Sequence, residues 1–150
     1  DILKTSDPLY SDDWFYLRES TKLHYYLENY DKFENQLKRL TANFSDRPPL
    51  LFWLNAVHAH INGNDEGALK NVRELHKSYE NETSGSPAWF IALYYCTLQD
   101  YEKTFIWLQR SFNRHEVELT WLREEPLLIP LRNDPRYKAL YDKIGFSKIM

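Results

Sequence analysis

The stretch 87–112, PAWFIALYYCTLQDYEKTFIWLQRSF, decides the fold. Ile91, Ala92 and Tyr95, then Phe105, Leu108 and Phe112, recur at helical spacing, and Gln99 and Asp100 interrupt the pattern between them. That arrangement predicts two amphipathic helices joined by a very tight turn. Asp100 is placed to cap the second helix. A carboxylate there accepts backbone N–H groups that have no intrahelical partner and opposes the positive end of the helix dipole. Pro87 suits the first helical position, where its missing N–H costs nothing.

The chain on either side reads as variations on that unit. Residues 1–10 carry little period and form a lead-in. A first helix is expected from about Ser11 to Glu28, with Asp12 and Asp13 in its first turn and Leu17, Leu23 and Leu27 on its apolar face. After a turn at 29–31, a second helix places Phe33, Leu37, Leu40 and Phe44 on one side, and Pro48 and Pro49 stop it. Residues 50–62 form a third helix, which Gly63 ends, and Asn64 or Asp65 caps a fourth carrying Ala68, Val72, Leu75 and Tyr79. The polar cluster 81–86 closes that second hairpin.

Asp31-Lys32, Glu66-Gly67 and Glu102-Lys103 fall in equivalent places at spacings of 35 and 36 residues. A period of that length marks a helical repeat, in which each hairpin needs its neighbours to bury its second face. Across about 12–115 the chain resembles the tetratricopeptide repeat family. Ala56, Ala68, Val72 and Leu75 carry the likeness in one unit, and Ala92, Tyr95, Thr104, Leu108 and Ser111 in the next. Thr104 and Phe33 stand where that family usually has a small residue, and the unit-ending proline is displaced to 87.

The resemblance implies an all-α domain over 1–150, a right-handed stack of about three antiparallel hairpins (11–46, 48–82 and 86–115). The segment 118–150 departs from the repeat and is expected to cap the array. There Asn133 or Asp134 caps a helix opened by Pro135, with Tyr137, Leu140, Tyr141 and Ile144 as its stripe and Gly145 as its stop. Trp121, Leu127, Leu128 and Leu131 are expected to seal the last hairpin. This tail resembles segments that end tetratricopeptide modules in bacterial multidomain regulators.

Composition narrows the function. A chain of 150 residues suits one domain burying roughly 68–70% of its unfolded surface. Its 43% hydrophobic and 16% aromatic content is that of a folding sequence. Only 4 glycines argue against phosphate-cradling loops and hairpin-rich sheets. A net charge of −3 draws in neither nucleic acid nor anionic lipid. No apolar run is long enough to span a membrane, and no signal peptide opens the sequence, so a cytoplasmic location is expected. The first residue, Asp1, suggests a processed form or a domain excised from a longer protein.

Catalytic and metal signatures are missing. Cys96 is the single cysteine and lies late in an apolar helix, where an inert core thiol is expected rather than a nucleophile. His58 and His60 lie about 200° apart around a helix and cannot share a metal. Glu124 and Glu125 precede Pro126 and read as a solvated turn. Arg132 and Arg136 flank Asp134 and are placed to pair with it. Asn43-Phe44-Ser45 and Asn81-Glu82-Thr83 match the glycosylation sequon, which has meaning only in a chain secreted by a eukaryote, and a chance match is expected. Neither an enzyme nor a cofactor is expected.

The expected function is therefore a non-enzymatic interaction scaffold, or alternatively the regulatory or sensing domain of a larger bacterial transcription regulator or signalling protein. Carrying the family's concave positions onto this sequence gives Arg18, Lys22 and Tyr25, then Trp53, Val57 and His60, then Trp89, Leu93 and Cys96. They describe an aromatic wall with a basic end, suited to a peptide or partner protein or to self-association.

Overall fold

The computed structural model describes residues 13–44, 46 and 48–145. Among them every regular element is helical and there is no strand. The helices are α1 (Trp14–Tyr26), α2 (Tyr30–Asn43), α3 (Pro49–Ile61), α4 (Asp65–Glu80), α5 (Pro87–Thr97), α6 (Tyr101–Asn113) and α7 (Pro135–Ile144). Two 3-10 segments, Val117–Trp121 and Pro126–Leu131, lie between α6 and α7. The chain divides into two compact units, Asp1–Arg47 and Pro48–Met150.

In the first unit α1 packs on α2. Asp13 caps α1 by accepting from the Tyr16 N–H at 3.0 Å, so it precedes the first turn instead of lying in it. Ser11 and Asp12 lie outside the described residues. The expected leucine stripe is corrected. Leu17 is buried, but Leu23 and Leu27 are 39% and 58% exposed, and the inward positions belong to Leu17, Ser20, Thr21 and His24. That set keeps helical spacing one step out of phase with the leucines. It is tolerated because the hydroxyls are bonded: Thr21 donates to the Leu17 carbonyl and Ser20 to Gln36 Oε1 at 2.9 Å. Phe33, Leu37 and Leu40 of α2 are buried as expected, and Phe44 meets Trp14 edge-on at 4.7 Å.

In the second unit α3 pairs with α4, α5 pairs with α6, and α5 packs on both helices of the preceding hairpin. The second 3-10 segment also contacts α5. Surrounded in this way, α5 is buried at every residue from Pro87 to Tyr94 and again at Cys96. The sequence suggests an amphipathic α5 with Tyr95 on its apolar face; the structure instead buries the helix all round through Tyr94 and leaves Tyr95 and Thr97, near its end, half-buried. The matched repeat positions Ala56, Ala92, Thr104, Leu108 and Ser111 are all fully buried. Thr104 fits where a smaller residue is usual because its hydroxyl bonds back to the Asp100 carbonyl at 2.8 Å.

The 35- and 36-residue spacing shows in the backbone as well. Glu28, Gly63 and Gln99 all adopt left-handed φ near +60 to +70°. Each is followed by an amide (Asn29, Asn64, Asp100) bonded to the carbonyl five residues back (His24, Ala59, Tyr95). The same Schellman-type end also closes α4 and α6, at Glu82 and His115, so it marks five helix ends among the described residues; those of α1, α3 and α5 fall at the spacing the sequence shows. Asn64 and Asp100 also cap the following helices, accepting from Gly67 and Lys103 N–H.

A clasp fixes the start of α5. Ser86, at its N-cap, is left-handed and does not cap it; the Glu116 carboxylate does, accepting from the Ala88 and Trp89 N–H groups at 3.1 and 2.8 Å. In return the Ser86 hydroxyl accepts from the Glu118 N–H at 3.1 Å. Beside it Gly85 has φ +96°, and a Cβ there would lie 2.7 Å from Pro49 Cδ.

After the clasp, Leu119, Leu122, Leu128 and Leu131 turn inward. Trp121 is 52% exposed and does not seal the hairpin; Leu122, next to it on the short 3-10 turn, takes the interior place. Leu127 is half-buried. Glu125 is also corrected, because only Glu124 is exposed and Glu125 is buried. Asp134 caps α7 and Gly145, at φ +96°, ends it.

Candidate functional site

The expected aromatic wall does not exist as an open surface. Trp53 and Trp89 are 0% and 2% exposed, and Val57, Leu93 and Cys96 are buried with them. The Trp53 ring packs on Phe90 at 5.4 Å. The cause is the all-round apolar character of α3 and α5, which spends their would-be concave positions on packing. Tyr25 is buried, and Arg18, Lys22 and His60 are half-buried. The basic end is also partly neutralised, since Glu19 lies 3.9 Å from Arg18 and 3.8 Å from Lys22.

An open surface lies instead between α6 and α7. On α6, Glu102, Phe105, Ile106, Gln109, Arg110 and Asn113 follow one another at helical spacing and form one wall of a groove of about 560 Å³. Arg136, Ala139, Leu140 and Lys143, one stripe of α7, form the other. Phe105 and Leu140 make a buried floor, and Ile106 stands 45% exposed above it. The α6 stripe runs about 16 Å, eleven residues of helical rise.

The rim is cationic and its cations are held differently. Arg136 lies over the Phe105 ring at 4.4 Å and binds Asp134 through two side-chain contacts, 3.1 Å from Nε and 2.9 Å from the terminal nitrogen. This hydrogen bonding holds the Asp134 carboxyl below its ordinary range. Arg110 stacks on Trp107 at 4.4 Å, which in turn meets His76 and Tyr79 edge-on at 4.9 Å each. Lys143 donates to Gln109 Oε1 at 3.3 Å. Neither Arg110 nor Lys143 has a carboxylate in salt-bridge contact among the described residues.

The remaining chemistry-bearing groups are structural in their placement. The Cys96 thiol donates to the Leu127 carbonyl at 3.2 Å, and burial, with the Glu125 charge nearby, pushes its pKa up to about 11. Burial pulls the His76 pKa down. Asp134 pairs with Arg136, whereas Arg132 donates to the Arg123 carbonyl. Among the described residues no group of three or more His, Cys, Asp or Glu is arranged to hold a metal, and no helix is long and apolar enough to cross a membrane.

The sequence reading misses the groove because it assigns one face to α6, that of Phe105, Leu108 and Phe112. Ile106 lies off that face with Gln109 and Arg110 close by in register, and an aliphatic residue outside the core stripe was the available signal. No family model, curated protein or solved structure matches this chain.

Proposed function

We propose that this chain is a non-enzymatic protein-interaction scaffold built of tetratricopeptide-like hairpins, which holds a partner protein or peptide on its outer surface. The observation that carries the reading is the α6–α7 groove: an apolar floor, an exposed isoleucine and a polar rim. The shared helix-end motif, at 35- and 36-residue spacing for α1, α3 and α5 and at 33 for α4 and α6, supports the repeat assignment. Capture on the immobilised full chain tests it. A partner identified by mass spectrometry that is retained by the wild type and lost from Ile106→Arg supports the scaffold. A chain that retains no partner in preference to a denatured control, or that turns over a substrate, overturns it.

A further inference from the structure

Resting on the scaffold reading, we infer that the α6–α7 groove takes an acidic amphipathic helix of a partner protein, with aliphatic anchors on Phe105, Ile106 and Leu140 and carboxylates meeting Arg110 and Lys143. Shape comes first. The α6 wall runs about 16 Å and the α7 wall, from Arg136 to Lys143, about 10 Å, so the trough matches two to three turns of a third helix, the form in which an amphipathic helix lays its apolar face into a groove. The exposed part of Ile106, beside the floor of Phe105 and Leu140, gives that helix an apolar surface to bury.

Charge then selects the partner. Four ionised side chains line the groove, Arg110, Arg136 and Lys143 against Glu102, and Arg136 is already bound to Asp134. Arg110 and Lys143 remain to be matched. Arg110 is held against Trp107, so its guanidinium loses little freedom on gripping a carboxylate. Arg110 follows Ile106 by one turn of α6, and Lys143 follows Leu140 by three places on α7, so each cation stands beside an apolar residue of the groove. The ligand therefore presents carboxylates on the flank of its apolar stripe. Nucleic acid and anionic membrane fit less well, because two cations are few for a phosphate-rich surface.

The test uses the full chain and a synthetic helical peptide of about fourteen residues, with leucine at every third or fourth place and glutamate between, read by calorimetry and by amide shift mapping. The glutamate peptide is expected to perturb α6 and α7, to bind about tenfold tighter than its all-lysine counterpart, and to weaken as salt rises. Lys143→Gln, which gives up a hydrogen bond to Gln109 alone, is expected to reduce that preference with an unchanged melting temperature; Arg110→Gln should reduce it further. Equal binding of the lysine peptide, no binding of either, or tighter occupation of the groove by phosphatidylserine vesicles or by a second copy of the chain overturns the inference. A glutamate peptide mapping to another surface overturns the groove while leaving the scaffold standing, whereas failure of partner capture strikes the scaffold itself.

Discussion

Helices α5 and α6 are consecutive, joined by one tight turn, and read in sequence as equals, yet the structure treats them oppositely. Every residue of α5 from Pro87 to Tyr94 is buried, whereas α6 buries Thr104, Phe105, Trp107, Leu108 and Ser111 and keeps Glu102, Lys103, Ile106 and Arg110 in solvent. The difference comes from the number of elements packed on each helix. Helix α5 has α3, α4, α6 and the second 3-10 segment around it, while α6 has an open side beside α7. An inner helix is thus committed to stability on all faces, and an outer one keeps a stripe for other use.

The strongest way to break that contrast is Trp89→Ala. It removes a 2% exposed indole from α5 and should cost about 3–5 kcal/mol by chemical denaturation; a loss under about 1 kcal/mol would show that α5 is not central. On α6, Leu108→Ala should follow at about 2–5 kcal/mol, since Leu108 is fully buried. Glu116→Ala should cost about 1–3 kcal/mol, because it strips the charged acceptor from two N–H groups at the partly buried start of α5. An unchanged unfolding midpoint would remove the clasp from the account.

Cys96 sharpens the contrast through pH. Its thiol is raised from 9.0 to about 11, so between these values the folded chain keeps a proton that the unfolded chain has lost, and stability falls as pH rises across that window. Below it this group adds no pH dependence. A thiol reagent at pH 8 should therefore react with Cys96 only as fast as the protein opens; immediate reaction in native buffer would mean that α5 is accessible. The smallest effect belongs to the open stripe: Ile106→Ala should change stability by no more than about 0.5 kcal/mol while weakening partner capture.

Much of the fold was legible because local signals and tertiary ones agree. Pro87 at a first helical position, Asp100 and Asp134 as caps, Gly63 and Gly145 as stops, and the 35- and 36-residue spacing all stand where the sequence puts them. The failures share a cause. Leu23 and Leu27 face solvent while Ser20 and Thr21 face inward, because hydrogen bonding makes a small polar residue acceptable where helices meet. Trp53 and Trp89 occupy positions that are concave in the resembled family, but whether such a position is open depends on how many neighbours its helix acquires. That number is a property of the assembled chain, and no periodicity within one helix reports it. Glu116 was invisible for the same reason, since its partners Ala88 and Trp89 lie 28 and 27 residues upstream.

That separation has a consequence for the order of events as the chain leaves the ribosome. A helix capped by its own neighbour can begin as soon as its first turn is made, but the first turn of α5 is completed by a carboxylate synthesised after α6 has ended. The α5–α6 hairpin is thus a latch whose tongue arrives last. Until Glu116 emerges, the amides of Ala88 and Trp89 exchange with solvent, and once it docks they and the Glu118 amide, bonded to Ser86, should slow their exchange together.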